Sequence, residues 1–346
     1  MKIAQVSPLY ESVPPKLYGG TERVVHYLTE ELVKMGHDVT LFATEDSDTS
    51  ARLVSICPAA LRLSRNVIDP FAHHILMLER VLKEAHRFDI IHFHIDYIHF
   101  PSVRRMNTPT ITTLHGRLDI PDIYPLYKEF SDIPVVSISN DQRRPLPFAN
   151  WQGTVYHGLP QELYAPVYRK GEYLAFLGRI SPEKRPDLAI EIAIRAGIPL
   201  KIAAKVDKND SEYYEQKIKP LLKHPLVEFI GEIGEAEKNE FLGGAYALLF
   251  PIDWPEPFGL VMIEAMACGT PVIARRCGSV PEVMVDGVTG FVVDTVDEAV
   301  EALKKVEGLN RRKVRMVFEE RFTSERMAQE YVRIYYKQLK RVRLAA

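Results

Sequence analysis

Short apolar runs rich in valine and isoleucine alternate with helix-length amphipathic segments along the whole 346-residue chain, and this alternation constrains the fold most. Buried parallel strands read this way, because a strand covered on both faces needs no polar side and its parallel return needs a helix-length crossover. The runs fall into two series. The first comprises residues 3–6, 39–43, 90–93, 110–114 and 135–138, with the clearest helix over 21–35, closed by Gly36 as a C-terminal cap. The second comprises residues 173–177, 200–203, 227–230, 247–250, 271–274 and 291–293. Between them, residues 151–168 carry Gly153, Gly158, Pro160 and Pro166 without a sustained period, so a hinge is expected there. The fold class is therefore α/β, with two doubly wound parallel sheets in series. A hydrophobic content of 46% lets each domain bury its own core. In such sheets, ligands meet the loops at the carboxyl ends of the strands. If the two sheets face each other, those loops line one cleft.

Lys+Arg 44 against Asp+Glu 46 leaves a formal charge of -2, so no overall field exists to hold nucleic acid through its phosphates. The balance is uneven along the chain. Residues 1–165 carry 16 basic and 19 acidic side chains, residues 166–310 carry 17 and 23, and residues 311–346 carry 11 and 4. The last segment alone is strongly basic. No apolar run approaches the ~20 residues of a membrane span, and the opening MKIAQVSPLY lacks a signal-peptide core. A cytoplasmic protein is expected. Cys57, Cys268 and Cys277 lie at no metal-ligand or paired spacing and read as reduced thiols.

Three strand-end loops carry the chemistry. After the first strand, Gly19 and Gly20 open a helix; paired glycines there let backbone amides approach an anion, and a tight turn capped by Thr21 reads equally well. Neither a dinucleotide-binding G-x-G-x-x-G nor a P-loop follows. The second series opens with a strand leading into Gly178-Arg179-Ile180-Ser181-Pro182-Glu183-Lys184-Arg185 and then a helix over 186–196. Gly178 permits close approach, and Arg179 with Lys184 supplies two cations suited to a diphosphate, or merely to solvent. The third loop is the most informative: Asp253-Trp254-Pro255-Glu256-Pro257-Phe258-Gly259, then a helix from about residue 259 to 267 carrying Glu264 among apolar and small residues. A carboxylate on such a helix needs a hydroxyl or cation partner, and a vicinal diol would serve. The amides of Phe258, Gly259, Leu260 and Val261 form a helix N-terminus able to receive phosphate or sugar oxygens. The alternative is that Glu256 caps the helix and Glu264 bonds a buried backbone group.

The run EPFGLVMIEAMACGTPVIA, with Glu256 and Glu264 separated by seven residues, resembles the signature of the family-4 retaining glycosyltransferases of glycosyltransferase group 1, which have the GT-B fold. The likeness spans nearly the whole chain: YGGTERVVHYLTEELVKMGHDVTLFA, DIIHFHID, TTLHG, VVSIS, FLGRISPEKRPDLAI and GSVPEVMVDGVTGFVVD follow in the family's order. The chain is most similar to compact bacterial members of the avilamycin-pathway type. The resemblance implies two Rossmann-like domains facing across a cleft. The acceptor-side domain takes residues 1–160 and the donor domain 161–325, with a final helix, 326–346, crossing back to the first. It further implies that Glu264 bonds the ribose of a nucleotide sugar, that Arg179 and Lys184 hold its diphosphate, and that Glu256 faces the donor sugar. Gly19 and Gly20 would border the phosphate and acceptor, and His115 would reach the transferred sugar. Where the family often has a glycine-rich turn the chain has Ala203-Ala204-Lys205, and Lys205 would add a third positive charge.

As a lone histidine after a strand, His115 otherwise reads as structural. His92 and His94 are expected to face opposite sides of their strand and are left structural, with His94 a second candidate; His73-His74 matches no metal geometry. The reaction expected is transfer with retention from a UDP-sugar, UDP-glucose first, to a hydroxyl of an acceptor that the sequence leaves open. It needs no cofactor and no metal, the leaving diphosphate takes the acceptor proton, and the two domains close about the hinge. A sugar-nucleotide epimerase or hydrolase on the same fold, or a non-catalytic nucleotide-sugar-binding module, are the alternatives. Residues 9–18, 96–100 and 117–127 would form the acceptor pocket. At the C-terminus, Phe318, Phe322, Tyr331, Tyr335 and Leu339 are expected to pack inward. Arg333, Lys337, Lys340, Arg341 and Arg343 form a basic face, either solvated or in weak peripheral contact with anionic lipid.

Overall fold

The computed structural model describes the chain apart from Tyr18, Arg65, Ala346 and the side chains of residues 342–345. Two expectations therefore lie partly outside the described residues: the last position of the 9–18 loop and the side chain of Arg343. The chain divides into two compact units, Met1–Pro160 with Ser324–Ala346, and Gln161–Thr323.

The first unit holds a seven-stranded sheet: β1 (Lys2–Val6), β2 (Asp38–Ala43), β3 (Arg52–Ser55), β4 (Ile90–Phe93), β5 (Thr110–Thr113), β6 (Pro134–Ser137) and β7 (Asn150–Thr154), in the order β3-β2-β1-β4-β5-β6-β7. All its pairings are parallel. β4 is buried throughout and β1 and β2 are buried beyond their first residues, as continuous apolar runs require. The helix Gly20–Lys34 follows β1, and Gly36 beyond it takes the left-handed φ of 81° that turns the chain into β2. Strands β3 and β7 stand at the two edges and had no clear periodic signal. Four residues are too few to show alternation in β3, and in β7 Gly153 interrupts the pattern beside a register shift against β6.

The helix Ser324–Ala345 belongs to this unit and buries Met327, Ala328, Tyr331, Ile334 and Tyr335 on one face. Each fully buried tyrosine contributes on the order of 2 kcal/mol by area alone. Leu339 is half-buried, while Arg333, Lys337, Lys340 and Arg341 are exposed. Arg341 nevertheless donates to the Gln152 side chain at 2.6 Å.

The second unit holds β8 (Tyr173–Ile180), β9 (Leu200–Val206), β10 (Val227–Gly231), β11 (Ala245–Phe250), β12 (Val272–Arg275) and β13 (Gly290–Val293), in the order β10-β9-β8-β11-β12-β13, again parallel. Its core joins Leu174, Phe176, Ile190, Ile202, Leu249 and Ile273. Phe318 and Phe322 are fully buried at its C-terminal side. In each sheet the strand order reverses once, between β1 and β4 and between β8 and β11. In open parallel sheets, ligands bind outside the carboxyl ends of the strands at such a reversal. Among the described residues, no helix is long and apolar enough to cross a membrane.

Candidate active site

In the second unit, the loops after β8 and β11 meet at the point where the strand order reverses. Arg185, with φ of 53°, caps the helix Pro186–Ala196 from the left-handed region. Its guanidinium holds Asp187 at 2.8 Å and reaches Asp253 at 3.2 Å. The Asp253 N–H donates to the Glu183 carbonyl at 2.9 Å, which ties the two loops together. Lys184 is thereby directed onto Glu256, and the two form an ion pair in which both side chains are largely buried. The indole N–H of Trp254 donates to the same carboxylate oxygen at 2.8 Å. The Lys184 ammonium also lies 5.1 Å from the Trp254 ring centre and 5.8 Å from that of Phe250.

Arg179, at the end of β8, pairs with Glu183 and stands 3.3 Å from Asp210. Burial pushes the Glu183 carboxyl up, but its backbone hydrogen bond and the Arg179 guanidinium outweigh this and hold it below the usual carboxylate range. A Cβ at Gly178 would meet nothing within 4 Å, so the chain's own packing does not demand glycine there. Lys205 lies 3.9 Å from Asp207. Every cation proposed from the sequence thus has a carboxylate neighbour, which charge spacing alone did not show. The site is a set of ion pairs rather than a bare positive field.

Glu256 is held by its backbone. Its N–H donates to the Trp254 carbonyl at 2.8 Å, and its carbonyl accepts the Ser279 N–H at 3.0 Å. Gly278, with φ of 55°, is required here: a Cβ would stand 2.3 Å from the Glu256 nitrogen. The Ser279 hydroxyl donates to the Phe258 carbonyl at 2.7 Å, and the buried Phe258 ring packs edge-on to Phe322. Gly259, with φ of 80°, is the N-cap of the helix Leu260–Ala267. There a Cβ would sit 2.8 Å from the Met262 methyl carbon. Leu260 and Val261 are half-buried in the first turn, where backbone N–H groups lack intrahelical acceptors.

Glu264 lies on the buried face of that helix, 4% exposed, and its partner is a cation: the Lys238 ammonium at 3.0 Å, itself 8% exposed. Lys238 also contacts Glu235 at 3.3 Å, and Glu235 accepts the hydroxyl of Tyr164. Sequence reasoning missed Lys238. A signal existed: Lys238 shares the buried face of the helix Glu235–Gly243 with Phe241 and Leu242, a position an apolar residue would normally fill.

In the first unit, Gly19 precedes the helix Gly20–Lys34 in extended conformation, and a Cβ on it would stand 2.8 Å from Pro15. The first turn already holds an acid of its own. Glu22 is buried, and burial pushes its carboxyl up to about 6, a shift its backbone bond and Arg62 oppose and Glu11 reinforces. His115 follows β5 and His94 follows β4, with His94 Nδ1 2.9 Å from His115 Nε2. His92 and His94 do not face opposite sides. Residues two apart on a strand share a face, and their rings lie 4.0 Å apart. Burial lowers the His115 and His99 imidazoles to about 3 and holds His92, His94 and His157 well below their ordinary value. All five are neutral near pH 7. His74 is fixed by the Leu9 N–H at 3.2 Å and the Pro70 carbonyl at 2.8 Å. Among the described residues, no group of three histidines, cysteines or acids is arranged to hold a metal ion, and all three cysteines are free thiols.

Two family models match the chain: "Glycosyltransferase Family 4" over residues 18–151 and "Glycosyl transferases group 1" over residues 165–321. Among curated relatives, the N-acetyl-alpha-D-glucosaminyl L-malate synthase of Bacillus anthracis is 37% identical over 102 residues, a match spanning 27% of this chain and 26% of that protein. The D-inositol 3-phosphate glycosyltransferase of Kribbella flavida is 24% identical, with 83% of this chain and 82% of that protein covered. The structure of AviGT4, a glycosyltransferase involved in avilamycin A biosynthesis, superposes with a TM-score of 0.77 at 25% identity, covering 98% of each chain. The Anabaena HepE protein, solved in complex with UDP-glucose, superposes with a TM-score of 0.72 at 17% identity, covering 97% of this chain and 100% of that one. With two parallel α/β sheets and these matches running nearly end to end, the chain belongs to the family-4 glycosyltransferases of the GT-B fold.

Proposed function

We propose that the chain transfers a sugar, with retention at the anomeric carbon, from a nucleoside-diphosphate donor to an acceptor hydroxyl without a metal ion. UDP-glucose or a similar UDP-sugar is the first donor to test. The observation that carries the reading is the Lys184–Glu256 pair, braced by Trp254 beside the start of the helix Leu260–Ala267. A diphosphate draws Lys184 and Arg179 away from their carboxylates and so releases Glu256 to face the sugar hydroxyls. Glu264, fixed by Lys238, receives the ribose hydroxyls. Lys205 adds charge near the nucleotide, Gly178 leaves room for close approach, and the amides of Phe258, Gly259, Leu260 and Val261 receive sugar and distal phosphate oxygens. His115 serves the transferred sugar, and the Gly19-Gly20 pair the acceptor side.

The chemistry is electrostatic. As the glycosidic bond breaks, charge grows on the leaving diphosphate, and the cations and helix N-terminus stabilise it while its oxygen takes the acceptor's proton. One lost donor in such a site costs ~3 kcal/mol, roughly a hundredfold in rate. The test is a turnover screen of UDP-, GDP-, ADP- and dTDP-sugars in chelator, with the product anomer read by NMR. Turnover of one donor class with retained configuration is expected. An absolute requirement for manganese, or an inverted product, overturns the reading.

A further inference from the structure

Six buried side chains and one at the strand-end rim form a continuous hydrogen-bonded series in the first unit, from the end of β5 to the helix Ser324–Ala345. His115 Nε2 is 2.9 Å from His94 Nδ1, and His94 Nε2 is 2.8 Å from Gln5 Oε1. Gln5 Nε2 donates to the Tyr335 hydroxyl at 3.1 Å, and that hydroxyl is 2.7 Å from His92 Nδ1. His92 Nε2 is 2.7 Å from the Thr113 hydroxyl, itself 2.9 Å from that of Tyr331. Imidazoles and hydroxyls can each donate or accept, so their directions follow from which way the Gln5 amide faces. In Gln5 the carbonyl oxygen only accepts and the amide nitrogen only donates.

The direction of every bond toward the site follows. Facing Gln5 Oε1, His94 Nε2 must carry the hydrogen. A neutral ring has only one, so His94 Nδ1 is bare and accepts, and His115 Nε2 must donate to it. His115 is neutral too, which leaves its Nδ1 a bare lone pair. Among the described residues, that atom is buried without a hydrogen-bond partner. The reversed direction would instead leave an orphaned N–H at the same place, and buried orphan donors are the rarer case. On the far side, the Tyr335 hydroxyl accepts from Gln5 and donates to His92 Nδ1, and His92 Nε2–H donates to Thr113.

We propose that Gln5 and His94 are positioning residues that lock His115 in the Nε2–H tautomer, so that Nδ1 is presented as an acceptor for a ligand hydroxyl, with the Tyr335 hydroxyl as the far partner of the Gln5 amide. That the hydroxyl belongs to the transferred sugar rests on the proposed function; the tautomer itself does not. A lone pair at this position selects a group that donates, so a hydroxyl is accepted and a carbonyl or ether oxygen is refused.

The test is long-range proton–nitrogen NMR of the full chain labelled with ¹⁵N-histidine, which distinguishes bare from protonated ring nitrogens. The wild type is expected to show His115 with Nδ1 bare and Nε2 protonated, and His94 in the same form. Gln5→Met, nearly isosteric, removes the polarity and is expected to give His115 a mixture of both tautomers. It should also raise KM for a turned-over UDP-sugar roughly tenfold, as loss of one well-placed hydrogen bond does, with kcat little changed. Tyr335→Phe frees the amide and is expected to shift the tautomers in the same direction, which keeps the test open if Gln5→Met does not fold. Thr112→Val breaks a different buried histidine bond, that of His99 at 2.7 Å, and is expected to leave the His115 signals unchanged. A protonated His115 Nδ1 in the wild type overturns the proposal, as does an unchanged tautomer in both Gln5→Met and Tyr335→Phe. If no nucleotide sugar is turned over at all, the proposed function fails while the NMR result still decides the tautomer.

Discussion

Removing the charge of Lys238 should expose what holds Glu264 in place. The two charged groups are 3.0 Å apart with side chains 8% and 4% exposed. At an effective dielectric of ~20, that separation is worth about 5–6 kcal/mol of attraction. Desolvation of several kcal/mol per ion offsets most of this, so the pair as a whole is close to neutral for stability. Taking away one partner leaves the other's desolvation uncompensated, at a cost of about 3–5 kcal/mol. Lys238→Met and Glu264→Leu should therefore each destabilise the second unit by about that much, and the double variant should return to within about 1–2 kcal/mol of the parent. The chain's two tryptophans make the measurement clean. Trp254 lies in the second unit and Trp151 in the first, so in a Trp151→Phe background urea unfolding followed by fluorescence reports the second unit. A double variant as unstable as the two singles combined would refute the reasoning, since it would mean that the charges are not each other's main partner.

Gly278→Ala forces a Cβ to within 2.3 Å of the Glu256 nitrogen and places a side chain at φ of 55°, so stability should fall by about 2 kcal/mol or more and donor turnover should drop with it; a crystal structure with the Glu256 loop unmoved would contradict this. Lys184→Ala should lower donor turnover about a hundredfold, and an undiminished rate in a turnover assay would remove Lys184 from the site. The buried imidazoles make stability depend on acid. His99 and His115 are held to about 3 by burial, against ~6.5 when unfolded, so the unfolded chain takes up more protons and stability, full above ~6.5, is lost as pH falls. Each costs about 2 kcal/mol by pH 5, while Glu22, raised to about 6, acts in the opposite sense between about 4 and 6. The urea midpoint should accordingly fall between pH 8 and pH 5, and a flat profile would contradict neutral burial.

What the sequence made legible was local. Apolar runs marked the central strands of both sheets, because a strand buried on both faces cannot hide its composition, and Gly36 stood where the chain takes a left-handed φ. The apolar setting of Glu264 announced that it needed a partner, but the partner, Lys238, is 26 residues away on another helix, and no periodicity links the two. The same holds for Lys184 and Glu256, 72 residues apart, whose pairing depends on β8 and β11 being neighbours in the sheet. The first sheet's edge strands β3 and β7 were missed: each buries a single residue, and Gly153 interrupts β7 beside its register shift against β6. The histidine error was one of arithmetic: positions two apart on a strand share a face, and that shared face is what allows Gln5, His92, His94 and Tyr335 to connect.

Calorimetric titration of UDP-glucose into the full chain in chelator, with the parent and Glu264→Ala compared side by side, decides whether the second unit binds a nucleotide sugar without metal through Glu264. One binding site without metal is expected, unaffected by added manganese and weakened at least tenfold in Glu264→Ala, the size of one lost hydrogen bond to a charged group. Binding that appears only with manganese, or equal affinity in the two proteins, would contradict it.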